Sequence, residues 1–199
     1  MFLGNIVSTI NLFQTINKLE EFKIYNHNPP HYYKKNAKYF ITGSIYKKRD
    51  LLKSNEAKNK LYEYIIISAN NFNWVLEDWV ILNNHYHLML ESPDNPATLS
   101  EMMGNIHRYS AIWINKNVKY DRAYDKVWHN YWDKCLTYER SYFTRLNYIW
   151  FNPVKHKLAD DAKDYEFGSY FQRFKLEKDY LENIKKLYPC DNLLEDDNF

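Results

Sequence analysis

The segment that decides the fold runs from Trp74 to Glu91 and reads WVLEDWVILNNHYHLMLE. Its two apolar runs, residues 74–82 and 85–91, are rich in β-branched and aromatic side chains, which favours β-strands. Asn83 and Asn84 lie between the runs, and asparagine tolerates the positive φ of a tight turn. The segment therefore predicts a β-hairpin.

The flanking sequence predicts the remaining elements of a small α+β domain. Upstream, residues 37–47 favour a strand, and Ser54 is a candidate N-cap for a helix toward residue 70. Downstream, we expect a helix opened by a capping box at Thr98, a strand over 127–136, a helix from about 141 to 153 and a C-terminal helix over 174–187. The order β-α-β-β-α-β predicts a ferredoxin-like, split βαβ antiparallel sheet with helices on one face, plus the C-terminal helix.

Charge and composition restrict the class of protein. The 199 residues carry a net charge of +2. Four acidic residues lie in the last nine positions, and without them the net charge of the remainder is +6. Such asymmetry is compatible with a body that binds a polyanion and a solvated acidic tail. Cys135 and Cys190 form no metal or disulfide pattern, and no apolar run spans a bilayer, so we expect a cytoplasmic protein without membrane contact.

Aromatic residues are unusually frequent, at 18% of the chain. Most of them are expected to fill the core. Their flat faces also suit stacking with unpaired nucleic-acid bases.

His85 and His87 form the first candidate chemical feature. Alternate side chains of a strand share one face, so these two imidazoles point the same way, opposite to Tyr86, Leu88 and Leu90. We expect the histidine face to be the less apolar one. Two such imidazoles suit Mn, Co, Ni or Zn, with Mg a looser match. The alternative is a pair of surface or hydrogen-bonded histidines, and a third ligand is needed to decide.

The helix after Ser141 offers further candidates. At about 100° per residue, Phe143, Leu146 and Trp150 share one face, which is the expected core stripe. Tyr148 lies nearly opposite that stripe, and Asn152 follows one turn later on the same side. A packing or exposed tyrosine remains the alternative interpretation.

Two motifs resemble the single-tyrosine HUH transposases, in which U is a hydrophobic residue. The first is WVILNNHYHLML at 79–90, and the second is NYIWFNPVKH at 147–156. Shorter similarities occur at 39–42 (YFIT) and 127–133 (VWHNYWD). Together they cover roughly residues 30–172 and most resemble the REP-associated tyrosine transposases of the insertion-sequence 200-like superfamily.

The resemblance implies both a mechanism and a set of site residues. Tyr148 would be the catalytic nucleophile that cleaves single-stranded DNA near hairpins, and it would form a covalent 5′-phosphotyrosine that is later rejoined. His85, His87 and Asn152 would hold a divalent metal, Mg or Mn. One departure is Asn83, where the family often has proline.

The same resemblance implies an organisation and a partner. Residues 1–30 would be an N-terminal extension, 31–172 the catalytic domain, and 173–199 a C-terminal helix with the acidic tail. The partner would be single-stranded or hairpin DNA, and both a monomer and a homodimer stay open. The candidate DNA-binding residues are Lys47, Lys48, Arg49, Arg108 and Lys155.

Other functions compete with an active transposase. A domesticated copy would bind hairpin DNA without cutting it. Rolling-circle initiators and relaxases also carry HUH sites, but they usually add a second tyrosine or a helicase domain. A metallohydrolase of small phosphate esters would not need Tyr148.

Overall fold

Four strands form one antiparallel sheet in the computed structural model, which describes residues 33–121 and 126–190. The predicted N-terminal extension and acidic tail lie outside these ranges. The strands, in the spatial order β2-β3-β1-β4, are β1 (Lys38–Ser44), β2 (Val75–Ile81), β3 (His85–Glu91) and β4 (Trp132–Leu136). This order is that of the predicted split βαβ fold, so the fold class is confirmed.

The β2-β3 hairpin forms where the sequence predicts it, but its turn is held differently. Neither Asn83 nor Asn84 has a positive φ, so that part of the prediction was wrong. Their side chains tie the turn to its surroundings instead. The Asn83 Oδ1 atom accepts a hydrogen bond from Lys58 Nζ at 3.0 Å, and Asn84 Nδ2 donates to the Lys48 carbonyl at 3.1 Å.

Four helices accompany the sheet: α1 (Asn55–Asn71), α2 (Leu99–Asn117), α3 (Glu139–Lys155) and α4 (Ser169–Leu187). The Ser54 cap is confirmed, because its hydroxyl accepts the Ala57 N–H at 3.2 Å. The Thr98 capping box is wrong. The Thr98 hydroxyl accepts from Trp74 Nε1 at 3.0 Å and donates to the Asn95 carbonyl at 2.9 Å. No helix within the described ranges is long and apolar enough to cross a bilayer.

Several predicted boundaries were wrong. Helix α3 starts earlier than expected and continues through Pro153 to Lys155. Helix α4 begins at Ser169 rather than 174, while the division of the chain after residue 172 stays a prediction. Strand β4 occupies only the end of the predicted 127–136 strand, and Trp128 makes an isolated bridge to Ile45.

The two faces of the sheet are covered by different helices. On one face, Tyr62 of α1 stacks on Trp79 at 4.2 Å between ring centroids, and α2 contacts Tyr86. Helix α3 covers the face that carries His85 and His87. The histidine face is therefore buried, with His87 at 0% exposure, and the expectation of a less apolar, open face was wrong. The cause is a helix from a distant part of the chain, which strand alternation alone cannot reveal.

Tyr86 passes over Gly43 to reach helix α2. A Cβ atom at Gly43 would collide with the Tyr86 ring, so this position requires glycine. The Tyr86 hydroxyl bonds His107 Nε2 at 2.8 Å, and the His107 ring stacks on Trp128 at 4.5 Å. These side chains fill the α2 side of the sheet with their polar atoms paired.

Candidate active site

His85 and His87 project from β3 onto the same face, as predicted. Their ring centroids lie 5.1 Å apart. His85 Nδ1 bonds Asn84 Oδ1 at 2.7 Å, and His87 Nδ1 bonds Thr42 Oγ1 at 2.8 Å. Because an amide oxygen only accepts, His85 Nδ1 carries the proton and its Nε2 carries the lone pair that a metal requires.

Tyr148 of α3 faces the same place. Its ring centroid lies 5.2 Å from that of His87 and 6.1 Å from that of Phe40, both in edge contacts. Tyr148 is only 3% exposed, so it does not lie on a free helix surface. Helix α3 has two buried sides: Tyr148 faces the sheet, and Phe143 packs against Tyr188 at 4.8 Å. Trp150 of the predicted stripe also bonds Asp78 on the sheet, so the assumption of a single core stripe was wrong.

Asn152 is the most informative polar group of the site. It lies one helical turn after Tyr148 and is 1% exposed. Neither its Oδ1 nor its Nδ2 has a hydrogen-bond partner among the residues that the structure describes. A buried amide without a partner costs free energy and is uncommon in proteins, so this side chain indicates a ligand.

Lys155 and His156 complete this end of α3. Lys155 Nζ donates to the Tyr148 hydroxyl at 3.4 Å and lies 4.8 Å from the centre of its ring. The His156 ring lies 4.9 Å from that of His85. Sequence reasoning missed His156, although its spacing of four residues from Asn152 places both on one helix side.

The side chains of this site can hold a divalent metal only if an amide takes part. Among residues 33–121 and 126–190, no group of three or more His, Cys, Asp or Glu side chains could hold a metal. A metal site therefore needs Asn152 as an oxygen ligand beside the two imidazoles. The unsatisfied Asn152 amide on the same face meets that requirement, so the residues present fit such an ion.

An ion-pair network anchors α3 to the sheet. Asp78 of β2 is fully buried, and its Oδ1 accepts hydrogen bonds from Trp150 Nε1 at 2.7 Å and Ser169 Oγ at 2.8 Å. Arg173 of α4 pairs with the other oxygen. Burial raises the pKa of Asp78, while Arg173 offsets part of that rise. No sequence pattern predicts this Asp78 network, because its members come from β2, α3 and α4.

The predicted DNA-binding residues do not form one surface. Lys47 and Lys48 are exposed in a short 3-10 turn just after β1. Arg49 donates to the carbonyls of Tyr46 at 3.0 Å and Lys126 at 2.6 Å, so it also braces this loop. Arg108 is exposed on α2, on the opposite side of the sheet from the histidines. Lys155 lies within the candidate site.

Comparison with known proteins identifies the family. Residues 33–149 match the family described as Transposase IS200 like. The chain belongs to this family of transposases. A REP-associated tyrosine transposase of Escherichia coli K12 is 22% identical over 163 residues, which cover 80% of this chain and 87% of that relative.

Further relatives agree with the IS200-like assignment. A Haemophilus influenzae protein named in the same group is 27% identical over 105 residues, which cover 49% of this chain and 59% of the relative. The solved structure of a REP-associated tyrosine transposase bound to a REP hairpin superposes with a TM-score of 0.62 at 20% identity, covering 80% of this chain and 87% of that one. The likeness confirms the transposase fold.

Proposed function

We propose that this transposase cleaves and rejoins single-stranded DNA through a covalent bond between Tyr148 and a DNA 5′-phosphate. The observation that carries the proposal is the approach of Tyr148 to His87 beside the unsatisfied Asn152 amide. A tyrosine that served only packing would not require the unsatisfied Asn152 amide beside it.

Each step of the proposed reaction balances. The Tyr148 oxygen attacks the phosphorus and a Tyr–O–P bond forms, while the bond from phosphorus to the 3′ oxygen breaks. The phenolic proton is lost and the departing 3′ oxygen gains one, which gives a free 3′-OH. Rejoining reverses these changes, because a 3′-OH attacks the phosphotyrosine and releases the phenol. No water is consumed, so the phosphodiester energy is kept.

His85, His87 and Asn152 are the residues that would hold a divalent ion, Mg or Mn. When bound, such an ion supplies charge that polarises the scissile phosphate. The chain's own contribution is orientation. Thr42 and Asn84 fix the two imidazole rings by their Nδ1 bonds, and Lys155 holds a positive charge at the Tyr148 oxygen.

Hairpin DNA is the proposed substrate. The family is shared with a transposase whose solved structure is bound to a REP hairpin.

The contact of Tyr148 with His87 of the same chain supports action within one protomer, so a monomer suffices for cleavage.

The test is formation of a covalent adduct. The full chain is incubated with Mn²⁺ and a labelled pool of single-stranded hairpins with randomised flanks, then resolved on a denaturing gel. We expect a metal-dependent adduct with the wild type that Tyr148→Phe abolishes. Tyr138→Phe is the matched control, since Tyr138 is 59% exposed at the start of the same helix and should keep the adduct.

Two outcomes would contradict the proposal. Cleavage that persists in Tyr148→Phe would indicate hydrolysis without a covalent intermediate. Hairpin binding without any adduct across the pool would indicate a non-cleaving DNA-binding protein.

A further inference from the structure

Three aromatic rings stack in a row beside the candidate active site. The His129 ring lies 5.0 Å from that of Trp132 with 10° between their planes. The Tyr46 ring also stacks with His129, at 6.2 Å between centroids and 16° between planes. Tyr46, His129 and Trp132, here called the aromatic row, are not needed by the proposed cleavage chemistry.

Strand pairing puts the aromatic row on the histidine face. Trp132 pairs with Thr42, which in turn pairs with His87. The side chains of these three paired strand residues therefore share one face. Two strand spacings separate Trp132 from His87, about 10 Å at about 4.8 Å per strand. A stacked nucleic-acid strand covers this distance in roughly three nucleotides at about 3.4 Å each.

Trp132 is more exposed to solvent than the nearby Trp128. Trp128 is 5% exposed and packs between Tyr86 and His107 on the opposite face. Trp132 is 38% exposed on the edge strand β4, and it is the tryptophan that the described part of the chain exposes most. Trp132 therefore offers a flat aromatic surface on which a base can stack.

Positive charge surrounds the row. Lys47 Nζ lies 6.0 Å and Lys126 Nζ 5.9 Å from the centre of the Tyr46 ring. Lys134 is exposed two residues after Trp132, which puts it on the same face of β4. Flat rings flanked by cations match a strand with unpaired bases and a phosphate backbone. Duplex DNA does not fit, because its bases are already stacked inside the helix.

We propose that the aromatic row binds the bases of a single-stranded segment next to the scissile phosphate, with Trp132 as the outer stacking platform. This inference rests on the proposed function, since it names how the substrate of that site is held. The site tolerates any base, because each base has a flat face.

The test compares DNA with and without bases. The full chain carrying Tyr148→Phe is titrated, without metal, with fluorescent single-stranded oligothymidylate and with an abasic oligomer of the same length. We expect Trp132→Ala to weaken oligothymidylate binding roughly ten-fold, which is the loss typical of one stacked base. Binding of the abasic oligomer should not change. Trp132→Phe, which keeps a flat ring, should recover most of the loss.

Controls separate stacking from charge and from misfolding. Tyr109→Ala removes an aromatic ring that is 47% exposed on α2, and it should leave both affinities unchanged. Lys126→Gln should weaken both oligomers equally. Thermal melting of each variant reports folding, and Trp132→Phe retains the packing of the edge strand if Trp132→Ala does not fold.

The inference is overturned if Trp132→Ala leaves oligothymidylate binding unchanged, or weakens the abasic oligomer by the same factor. Its failure is distinguishable from failure of the proposed function. An adduct formed without any contribution from the bases would contradict the aromatic row alone. Base-dependent binding without an adduct would contradict the cleavage reaction alone.

Discussion

The two faces of the sheet differ in whether their buried polar side chains have hydrogen-bond partners. On the α2 face, the Tyr86 hydroxyl and His107 satisfy each other at 2.8 Å, and Trp128 covers the imidazole. Burial lowers the pKa of His107 to about 3, with Lys126 adding to the effect, so this ring stays neutral. On the α3 face, the Asn152 amide is just as buried, yet both of its polar atoms lack a partner among the described residues.

Burial by itself therefore does not separate a hydrogen-bonded histidine such as His107 from a candidate metal ligand such as His87. His107 and His87 are neighbours across a single sheet, and both are enclosed by aromatic rings. They differ in whether the polar groups around them have hydrogen-bond partners. The polar groups of Tyr86 and His107 on the α2 face pair with each other, whereas the Asn152 amide on the α3 face has no partner among the described residues.

The largest expected effect is on metal affinity. His87→Ala should lower the affinity for Mn²⁺ roughly 100-fold or more, because a proposed ligand is removed. His107→Ala should leave metal affinity unchanged while it lowers stability. Isothermal titration with Mn²⁺ and urea unfolding of both variants measure the contrast. Equal loss of metal affinity in the two variants would remove the distinction between the faces.

The next effect concerns the nucleophile. Lys155→Gln should slow adduct formation at saturating DNA roughly ten-fold, because the positive charge at the Tyr148 oxygen is lost. Lys157→Gln, two residues away and exposed, is the control and should keep the wild-type rate. Single-turnover kinetics measure this rate separately from binding. A change in DNA affinity alone would assign Lys155 to the phosphate backbone instead.

Gly43→Ala should disturb the α2 face through Tyr86. The added methyl group collides with the Tyr86 ring, so we expect a loss of about 1–3 kcal/mol in the free energy of unfolding. Gly104→Ala in α2 is the matched control, since a Cβ there meets nothing within 4 Å. It should raise stability by about 0.5–1 kcal/mol, because alanine favours the helix. The midpoints of urea unfolding of both variants measure the difference. Equal effects of the two substitutions would contradict the close approach of Tyr86 to Gly43.

Near neutral pH, the smallest expected effect is the pH dependence that His107 contributes. Its folded-state pKa of about 3 lies below the ordinary value of 6.5, so the unfolded chain takes up the proton first as the pH falls. Stability should therefore fall between about pH 6.5 and pH 3, by at most about 1.4 kcal/mol per pH unit from this residue. His107→Gln should flatten the curve by that amount in urea unfolding across the range. Superimposable curves would show that His107 is protonated in the folded protein.

Much of the fold follows from local patterns in the sequence. The alternating strands around residues 83–84, the Ser54 cap and the order of elements are set by neighbours in the chain, and the structure confirms them. The failures lie where distant groups compete. The Thr98 hydroxyl bonds Trp74, some 24 residues away, rather than capping its own helix. Helix α3 continues through Pro153, and its following turn is closed by bonds such as Leu158 N–H to the Pro153 carbonyl at 2.8 Å.

The candidate site was accessible to sequence reasoning only in part. Alternation on β3 placed His85 and His87 together, and helical spacing placed Tyr148 with Asn152. The covering of the histidine face by α3, and the Asp78 network that fixes it, involve three separated segments and leave no periodic trace. The roles of these residues in catalysis, metal binding and DNA binding stay predictions.

The Asp78 network has a consequence for when the protein becomes able to act. The two histidines and Tyr148 lie about sixty residues apart in the chain, and Ser169 and Arg173 of α4 complete the bonds around Asp78. Because two of the groups that pair with Asp78 belong to α4, this buried carboxylate is fully paired in a nascent chain only after α4 has been translated. The candidate active site on α3 is therefore braced by a segment that the ribosome adds after it.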